Sequence, residues 1–319
     1  MNSDYDEIRF LTDLRSVFVD WDLSSKCNYK CSYCTPASHD GKINFPSIDT
    51  FKRVVDKIQQ EYADIKDYAV YNLLGGEPTI WNQFEECSRY IKQVNPKNRL
   101  QILTNGNRTL GWWQRNIDYI NRVILTVHVA QADIKELVSK FNALNTDSYI
   151  EFQIALDIAV FDKCVEDFHY AKENLNSNIR VSAKTLLKLL SDPGIMDYTD
   201  AQREVIKRIT YTPQRTKNKF VKLQDDQVVD DDIDMFSMIL QKQNNWKDWA
   251  CWIGIDTITI RNTGEFKIGS MCNPHLILGN IQDLKFDIPK IPVRCKYSEC
   301  GCLTDIYTKK VKNYSGPTL

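Results

Sequence analysis

Three cysteines fall within Cys27-Asn28-Tyr29-Lys30-Cys31-Ser32-Tyr33-Cys34, spaced C-x3-C-x2-C. Thiolates this close together can converge on one metal centre. Three are one short of enclosing a four-iron cluster, which takes one cysteine per iron. One iron would stay open to an outside ligand, as catalytic metal sites require and structural ones avoid. The competing readings are half of a zinc site or a set of buried free thiols. Zinc usually takes paired C-x2-C units and four closed ligands, and the sequence offers no such partner nearby.

Gly75-Gly76-Glu77-Pro78-Thr79 follows a strand-like run further on. Alone, Gly-Gly before Pro marks a turn anywhere. Glycines also let backbone carbonyls approach a ligand closely, and a carboxylate beside them favours an ammonium. Thr104-Asn105-Gly106 ends another strand, either as a set of ligand-facing polar groups or as a plain polar turn. His128 closes Leu125-Thr126-Val127-His128, and Lys184 closes Val181-Ser182-Ala183-Lys184. Each is a candidate contact to a ligand or a structural residue. His39 and His169 read as structural.

A second cysteine group lies near the C-terminal end. Cys251 precedes an alternating run from Trp252 to Arg261, Asn262-Thr263-Gly264 is a turn signal, and Glu265–Met271 returns to Cys272. Arms of nearly equal length predict a hairpin with Cys251 and Cys272 together at its open end. Leu278-Gly279-Asn280-Ile281 follows, then Cys295-x4-Cys300-x-Cys302. A pair at a hairpin base plus a later cluster can build a fully protein-ligated four-iron site; a zinc ribbon-like site is the alternative. Five cysteines exceed the four ligands required, and which one is spare stays open.

The triplet, with aromatic Tyr33 just before its last cysteine, and Gly75-Gly76-Glu77-Pro78 together resemble the radical S-adenosylmethionine (SAM) superfamily. The resemblance implies that Cys27, Cys31 and Cys34 hold a [4Fe–4S] cluster whose open iron is chelated by the amine and carboxylate of SAM. It implies reductive cleavage of SAM to methionine and a 5′-deoxyadenosyl radical that abstracts a substrate hydrogen. It also implies that Gly75, Gly76, Glu77 and Pro78 bind the methionyl amine, that Tyr33 lies by the adenine, and that Thr104 and Asn105 face SAM; His128, at its strand end, is a candidate contact to SAM or substrate. Lys184 is a further candidate, for the carboxylate of SAM or for substrate. The second group resembles the twitch domain, the shortened relative of SPASM, which holds one auxiliary [4Fe–4S] cluster. A full SPASM domain carries seven cysteines and two clusters, so Cys251, Cys272, Cys295, Cys300 and Cys302 imply one.

These residues need elements to position them. Residues 16–23 alternate as a strand that delivers the chain to the cysteine loop, and Pro36, Gly41 and Pro46 keep 35–47 irregular. Ser47 predicts a helix cap before 48–62, with Phe51, Val54, Val55, Ile58 and Tyr62 on one stripe. Strands are predicted over 68–74, 99–103, 122–128, 149–156 and 179–186, separated mostly by helical patterns such as 82–94. Six strands alternating with helices predict an α/β fold with a parallel sheet. The resemblance makes it a partial (βα)6 TIM-like barrel over 16–187, with a small β-hairpin/α twitch-type domain over 250–310. The segment 188–249 between them reads as a solvated linker or insertion with a short hairpin, and 199–209 as helical. The cysteine loop, the Gly-Gly turn and Thr104–Gly106 each follow a strand, which predicts one shared mouth.

Lys plus Arg number 41 and Asp plus Glu 42, for a net charge of −1, so there is no electrostatic footprint for nucleic acid. The start of the chain is acidic without an apolar signal region, and no apolar run approaches membrane-spanning length. The expectation is a cytoplasmic protein whose ten cysteines serve metal ligation rather than disulfides. Cys87 and Cys164 fall in apolar helical patterns and are expected to pack in the core. The expected activity is oxidoreductase-like: hydrogen abstraction and net oxidation of a small molecule or peptide, by dehydrogenation or bond formation. The substrate is expected at the barrel mouth beside the twitch domain, the auxiliary cluster takes the second electron, and a reductase or flavodoxin-type protein supplies the first. No residue stands out as a catalytic base. A peptide epimerase or cyclase is the alternative within the class, and an iron–sulfur electron carrier or scaffold outside it. Residues 1–15 are short for a separate peptide-recognition domain.

Overall fold

The structure is a computed structural model of the chain. It describes residues 5–10, 15–186, 196–210, 220–230, 238–239, 241–270, 272, 277–301 and 303–319. The six strands expected over residues 16–186 form within two residues of their expected bounds. In order come β1 (Glu7–Phe10), β2 (Ser16–Asp22), α1 (Ile48–Tyr62), β3 (Tyr68–Leu74), α2 (Phe84–Val94), β4 (Arg99–Thr104), α3 (Leu110–Asn116), β5 (Arg122–Val127), α4 (Ile134–Asn142), β6 (Tyr149–Ala155), α5 (Phe161–Asn174), β7 (Arg180–Lys184) and α6 (Asp200–Thr210). Short elements follow: β8 (Phe220–Gln224), β9 (Gln227–Asp230), β10 (Ala250–Cys251), β11 (Thr257–Ile260), β12 (Glu265–Lys267), β13 (Ile277–Asn280), β14 (Val293–Arg294), α7 (Leu303–Ile306) and β15 (Lys310–Val311). Ser47 caps α1 as expected, its Oγ accepting the Thr50 N–H at 3.1 Å. The stripe Phe51, Val54, Val55, Ile58 and Tyr62 is buried, each side chain contributing about 1.5–3 kcal/mol of hydrophobic burial.

The chain divides into two compact units, each discontinuous in sequence. One comprises residues 22–52 and 72–212. Its strands β4, β5, β6 and β7 pair in sequence order and run parallel, with Thr104 opposite Leu125, Val127 opposite Ile154, and Ala155 opposite Lys184. The fold class is therefore α/β, in keeping with the expected partial barrel. Val123, Leu125, Val127, Ile150, Phe152 and Ile154 are buried, and Phe152 meets Phe141 of α4 edge to face at 5.2 Å. The alternate positions, which point to the other face, carry the polar Thr126, Glu151 and Gln153 beside the apolar Ile124. Gln101 Nε2 donates to Asn72 Oδ1 (2.8 Å). Buried Glu151 pairs with Arg122 (3.1 Å) and accepts from Ser182 Oγ (2.9 Å). Parallel strands buried on both faces usually read apolar throughout, so a polar face is suited to a ligand.

The other unit comprises residues 1–21, 53–71 and 213–319. One of its sheets has the order β14-β10-β15-β1-β8-β9. Its core gathers Tyr5, Ile8, Phe220, Met238, Trp246, Trp249 and Ile306, and Trp246 Nε1 donates to Tyr5 Oη at 3.0 Å. The hairpin expected within 188–249 is present as β8 and β9. It is not solvated throughout: Phe220, Val221 and Leu223 are at most 1% exposed, because β8 pairs along its length with β1. The basic run 215–219 lies outside the described residues.

The expected hairpin after Cys251 is shorter than its alternation suggested. Only Thr259–Lys267 and Ile260–Phe266 pair across the turn. Gly254, at φ +83°, turns the chain, and the Trp252 carbonyl accepts from both Ile255 and Asp256 N–H. Cys251 therefore belongs to a different sheet from β11, in β10. β11 instead runs parallel to β2, with Thr257 opposite Phe18. Among the described residues no helix is long and apolar enough to cross a membrane.

Candidate active site

The cysteine loop is closed at its base by polar side chains, not by its thiols. Ser25 Oγ donates to Asp40 Oδ1 (2.7 Å) and accepts from Ile43 N–H (2.9 Å). The Ser25 carbonyl accepts from Gly41 N–H (3.0 Å). Within the loop Cys27 Sγ accepts from Tyr29 N–H (3.4 Å), and the Cys31 carbonyl accepts from Cys34 N–H (3.1 Å). All three cysteines are free and partly exposed. Burial pushes the Cys31 thiol up to about 11, and Cys34 and Cys27 push the same way, so the three sulfurs lie within electrostatic reach.

The Gly75-Gly76 turn approaches this loop through its backbone. Gly75 and Gly76 have φ of +90° and +52°. A Cβ on Gly75 would overlap the Asp22 carboxylate, and one on Gly76 the Lys26 carbonyl. Only glycine combines that conformation with that approach. Glu77 N–H then donates to the Lys26 carbonyl at 2.7 Å. The Glu77 side chain is 1% exposed. Its Oε1 accepts from Thr79 Oγ1 (2.6 Å), Thr104 Oγ1 (2.7 Å) and Thr79 N–H (3.0 Å), and its Oε2 from Asn105 N–H (2.7 Å). Burial pushes this carboxyl up, against the pull of its donors. Asn105 Nδ2 donates onward to Asn28 Oδ1 in the cysteine loop (2.8 Å). Glu77, Thr104 and Asn105 thus clamp three strand-end loops together, and the Glu77 carboxylate is occupied by protein donors. The neighbouring Pro78 is buried.

His128 follows β5 and shares a 2.6 Å hydrogen bond through Nδ1 with Tyr33 Oη. The Tyr29 ring meets it edge-on at 6.0 Å. Burial, then the charge of Lys184, lowers His128 to about 4. Unfolded histidine protonates near 6.5, so between these values the unfolded chain binds more protons and stability rises with pH. The contribution is complete above pH 6.5 and is lost as pH falls toward 4. Between pH 7 and 5 the wild-type chain should lose about 2 kcal/mol more than His128→Gln in urea unfolding; equal losses would refute the neutral buried ring. Lys184 ends β7 and is partly buried, and its backbone carbonyl accepts the Leu156 N–H (3.0 Å). Burial lowers its pKa.

The structure thus brings Cys27, Cys31, Cys34, Tyr33, the Gly75–Pro78 turn, Thr104, Asn105 and His128 to one set of strand ends within one unit. Sequence reasoning missed Ser25, Asn28, Asp40 and Thr79. Only Asp40-Gly41 carried a signal, as a turn dipeptide.

Residues 21–149, which carry the cysteine loop, the Gly-Gly-Glu-Pro turn and Thr104-Asn105, match the profile of the Radical SAM superfamily. The chain is 30% identical to the GTP 3′,8-cyclase of Haemophilus influenzae (strain 86-028NP) over 103 residues, 31% of this chain and 30% of that one. The match thus spans less than a third of the relative's length. In structure the chain is similar to Streptococcus suis SuiB bound to S-adenosylmethionine, with TM-score 0.53 and 13% identity over 86% of this chain and 67% of that one. It is also similar to anSMEcpe with bound AdoMet, with TM-score 0.51 and 15% identity over 85% and 78%. At these identities the likeness is one of fold.

The profile matched by residues 21–149 implies a [4Fe–4S] cluster and SAM, and the donor set fits. Three soft thiols share one loop, and thiolates are the ligands such clusters take. Among the described residues no three Cys, His, Asp or Glu side chains stand in the geometry that grips a single ion. Cluster thiolates each hold a different iron, so they need not meet at one point.

Outside the radical SAM match, four C-terminal cysteines line one cavity of about 130 Å³: Cys251, Cys272, Cys295 and Cys300. β10 pairs with β14, Ala250 opposite Arg294, which sets Cys251 across from the strand leading to Cys295. Asn244 holds Cys300 on both sides, its carbonyl accepting the Cys300 N–H (2.9 Å) and its Nδ2 donating to the Cys300 carbonyl (3.0 Å). Burial pushes the Cys251 thiol up to about 11. The Cys272 thiol is raised by burial, then by Asp305, Cys251 and Cys300. Cys251 and Cys272 thus come together without the long hairpin expected to join them. Cys302 lies outside the described residues. Cys87 and Cys164 are buried in α2 and α5, as expected.

Proposed function

We propose that this radical SAM protein abstracts hydrogen from a small-molecule or peptide substrate and completes a net two-electron oxidation. Cys27, Cys31 and Cys34 hold the SAM-cleaving cluster, and four of Cys251, Cys272, Cys295, Cys300 and Cys302 hold an auxiliary [4Fe–4S] cluster. When bound, these groups supply a 5′-deoxyadenosyl radical and an acceptor for the remaining substrate electron; an external flavodoxin-type reductant supplies the initiating electron. The chain's own residues bind and orient. The carbonyls of the Gly75–Pro78 turn receive the methionyl ammonium, because Glu77 is engaged elsewhere. Tyr33 and His128 bound the adenine side, and Lys184 offers a cation to the carboxylate of SAM or to substrate.

The observation that carries the reading is the clamp formed by Glu77. It ties the cysteine loop, the Gly-Gly turn and Thr104-Asn105, three motifs distant in sequence, into one site. The four-cysteine cavity supports the second cluster. Iron counting tests both together. Anaerobically reconstituted protein should hold about eight irons per chain, four per cluster. A value near four, with zinc making up the rest, would show the C-terminal site to be structural.

A further inference from the structure

Lys310 is 1% exposed. Its Nζ donates to the carbonyls of Asp305 (2.8 Å), Thr308 (2.9 Å) and Ile306 (3.0 Å), and lies 4.5 Å from the centroid of the Trp246 ring. Three acceptors take all three hydrogens of an ammonium, so the group is held in one place. Lysine is almost never fully buried unless paired, yet these acceptors are neutral carbonyls. Lys310 also lines the cavity of Cys251, Cys272, Cys295 and Cys300.

We propose that Lys310 is the fixed countercharge of the anionic centre held by the C-terminal cysteines, and that it biases that centre toward accepting an electron. The proposal rests on the auxiliary-cluster reading above. A four-thiolate [4Fe–4S] centre gains one negative charge when one electron enters, and no bond forms or breaks. A positive charge buried beside it favours the more negative, reduced state, because attraction between charges is strongest away from water. Net charge and burial are among the terms that set the potentials of such clusters. Every Lys310 hydrogen is already engaged, so the effect acts through space and not by hydrogen bonding to sulfur. Asp305 lines the same cavity and opposes it, with its Oδ1 accepting from Ser270 N–H at 2.9 Å. Arg294 and Lys296 also line the cavity, but the Lys296 side chain is exposed, and Arg294 is drawn to the Asp248 carbonyl (2.9 Å). Lys310 is the cation that water screens least.

The test uses the full chain carrying Cys27→Ala, Cys31→Ala and Cys34→Ala, so that only the C-terminal centre titrates. Its midpoint potential is followed by EPR in the Lys310 parent and in Lys310→Gln, Lys310→Met and Lys310→Arg, with iron and sulfide counted in each. The neutral variants should keep four irons and become harder to reduce at least tenfold, ~59 mV lower for one electron. Lys310→Arg should restore most of the shift. An unchanged potential in a neutral variant that keeps its cluster would overturn the proposal. Loss of the cluster from both neutral variants would also overturn it, making Lys310 a structural strut. If the parent holds no C-terminal iron, the auxiliary-cluster reading itself fails, a distinguishable result.

Discussion

Changing Cys27, Cys31 and Cys34 together to Ala should abolish formation of 5′-deoxyadenosine by the anaerobically reconstituted, reduced protein. Each thiolate would hold one iron of the SAM-cleaving cluster, and a fully stripped loop offers no partial ligand set. The fold should survive, because the loop is closed by Ser25, Asp40, Gly41 and Ile43 and not by the thiols. Circular dichroism should therefore be unchanged, and the C-terminal iron should remain. Deoxyadenosine still produced by the triple variant would sink the assignment of these residues.

The second large effect belongs to Glu77. Glu77→Ala leaves the donors of Thr79, Thr104 and Asn105 facing an apolar gap at a site that is 1% exposed. Removing one partner of a buried charge-assisted network typically costs ~3–5 kcal/mol. Thr104→Val, which removes one donor, should cost about 1–3 kcal/mol. Urea unfolding measures both. SAM affinity should fall alongside stability in each, and in the same order. If Glu77→Ala lost SAM binding while keeping wild-type stability, the carboxylate would be a ligand contact and not a clamp.

The strands of the parallel sheet were legible because their alternation is strong and their ends carry turn residues. Phe51, Val54, Val55, Ile58 and Tyr62 were legible for the analogous reason at helical spacing. The site's members were legible as motifs, but their bonding was not. Gly-Gly-Glu-Pro suggests a carboxylate waiting for an ammonium. Nothing in that string shows that Thr104 and Asn105 will reach the carboxylate first. Asn28 looks like filler between cysteines until Asn105 is placed beside it. At the C-terminal end the alternation of 252–261 overstated the hairpin. Period-two patterning cannot register that Gly254 turns the chain, or that Thr257–Ile260 pairs with β2, far away in sequence. The hairpin within 188–249 read as solvated because β8 is short, and the β1 partner that buries it lies at the other end of the chain.

The cavity of the second cysteine group is walled by brief strands. β10, β14 and β15 are two residues long each, so each pairing has little cooperativity of its own. Ligands that bind only the folded state add their binding free energy to it, and metal centres do so strongly. A centre held by the thiolates of Cys251, Cys272, Cys295 and Cys300 would therefore act as a rivet between β10 and β14. Such a centre would make this corner of the chain a reporter of oxidative damage, because losing it to oxygen would withdraw the rivet. Loosening would start between β10 and β14 and reach β1 only through β15, which pairs with both β10 and β1.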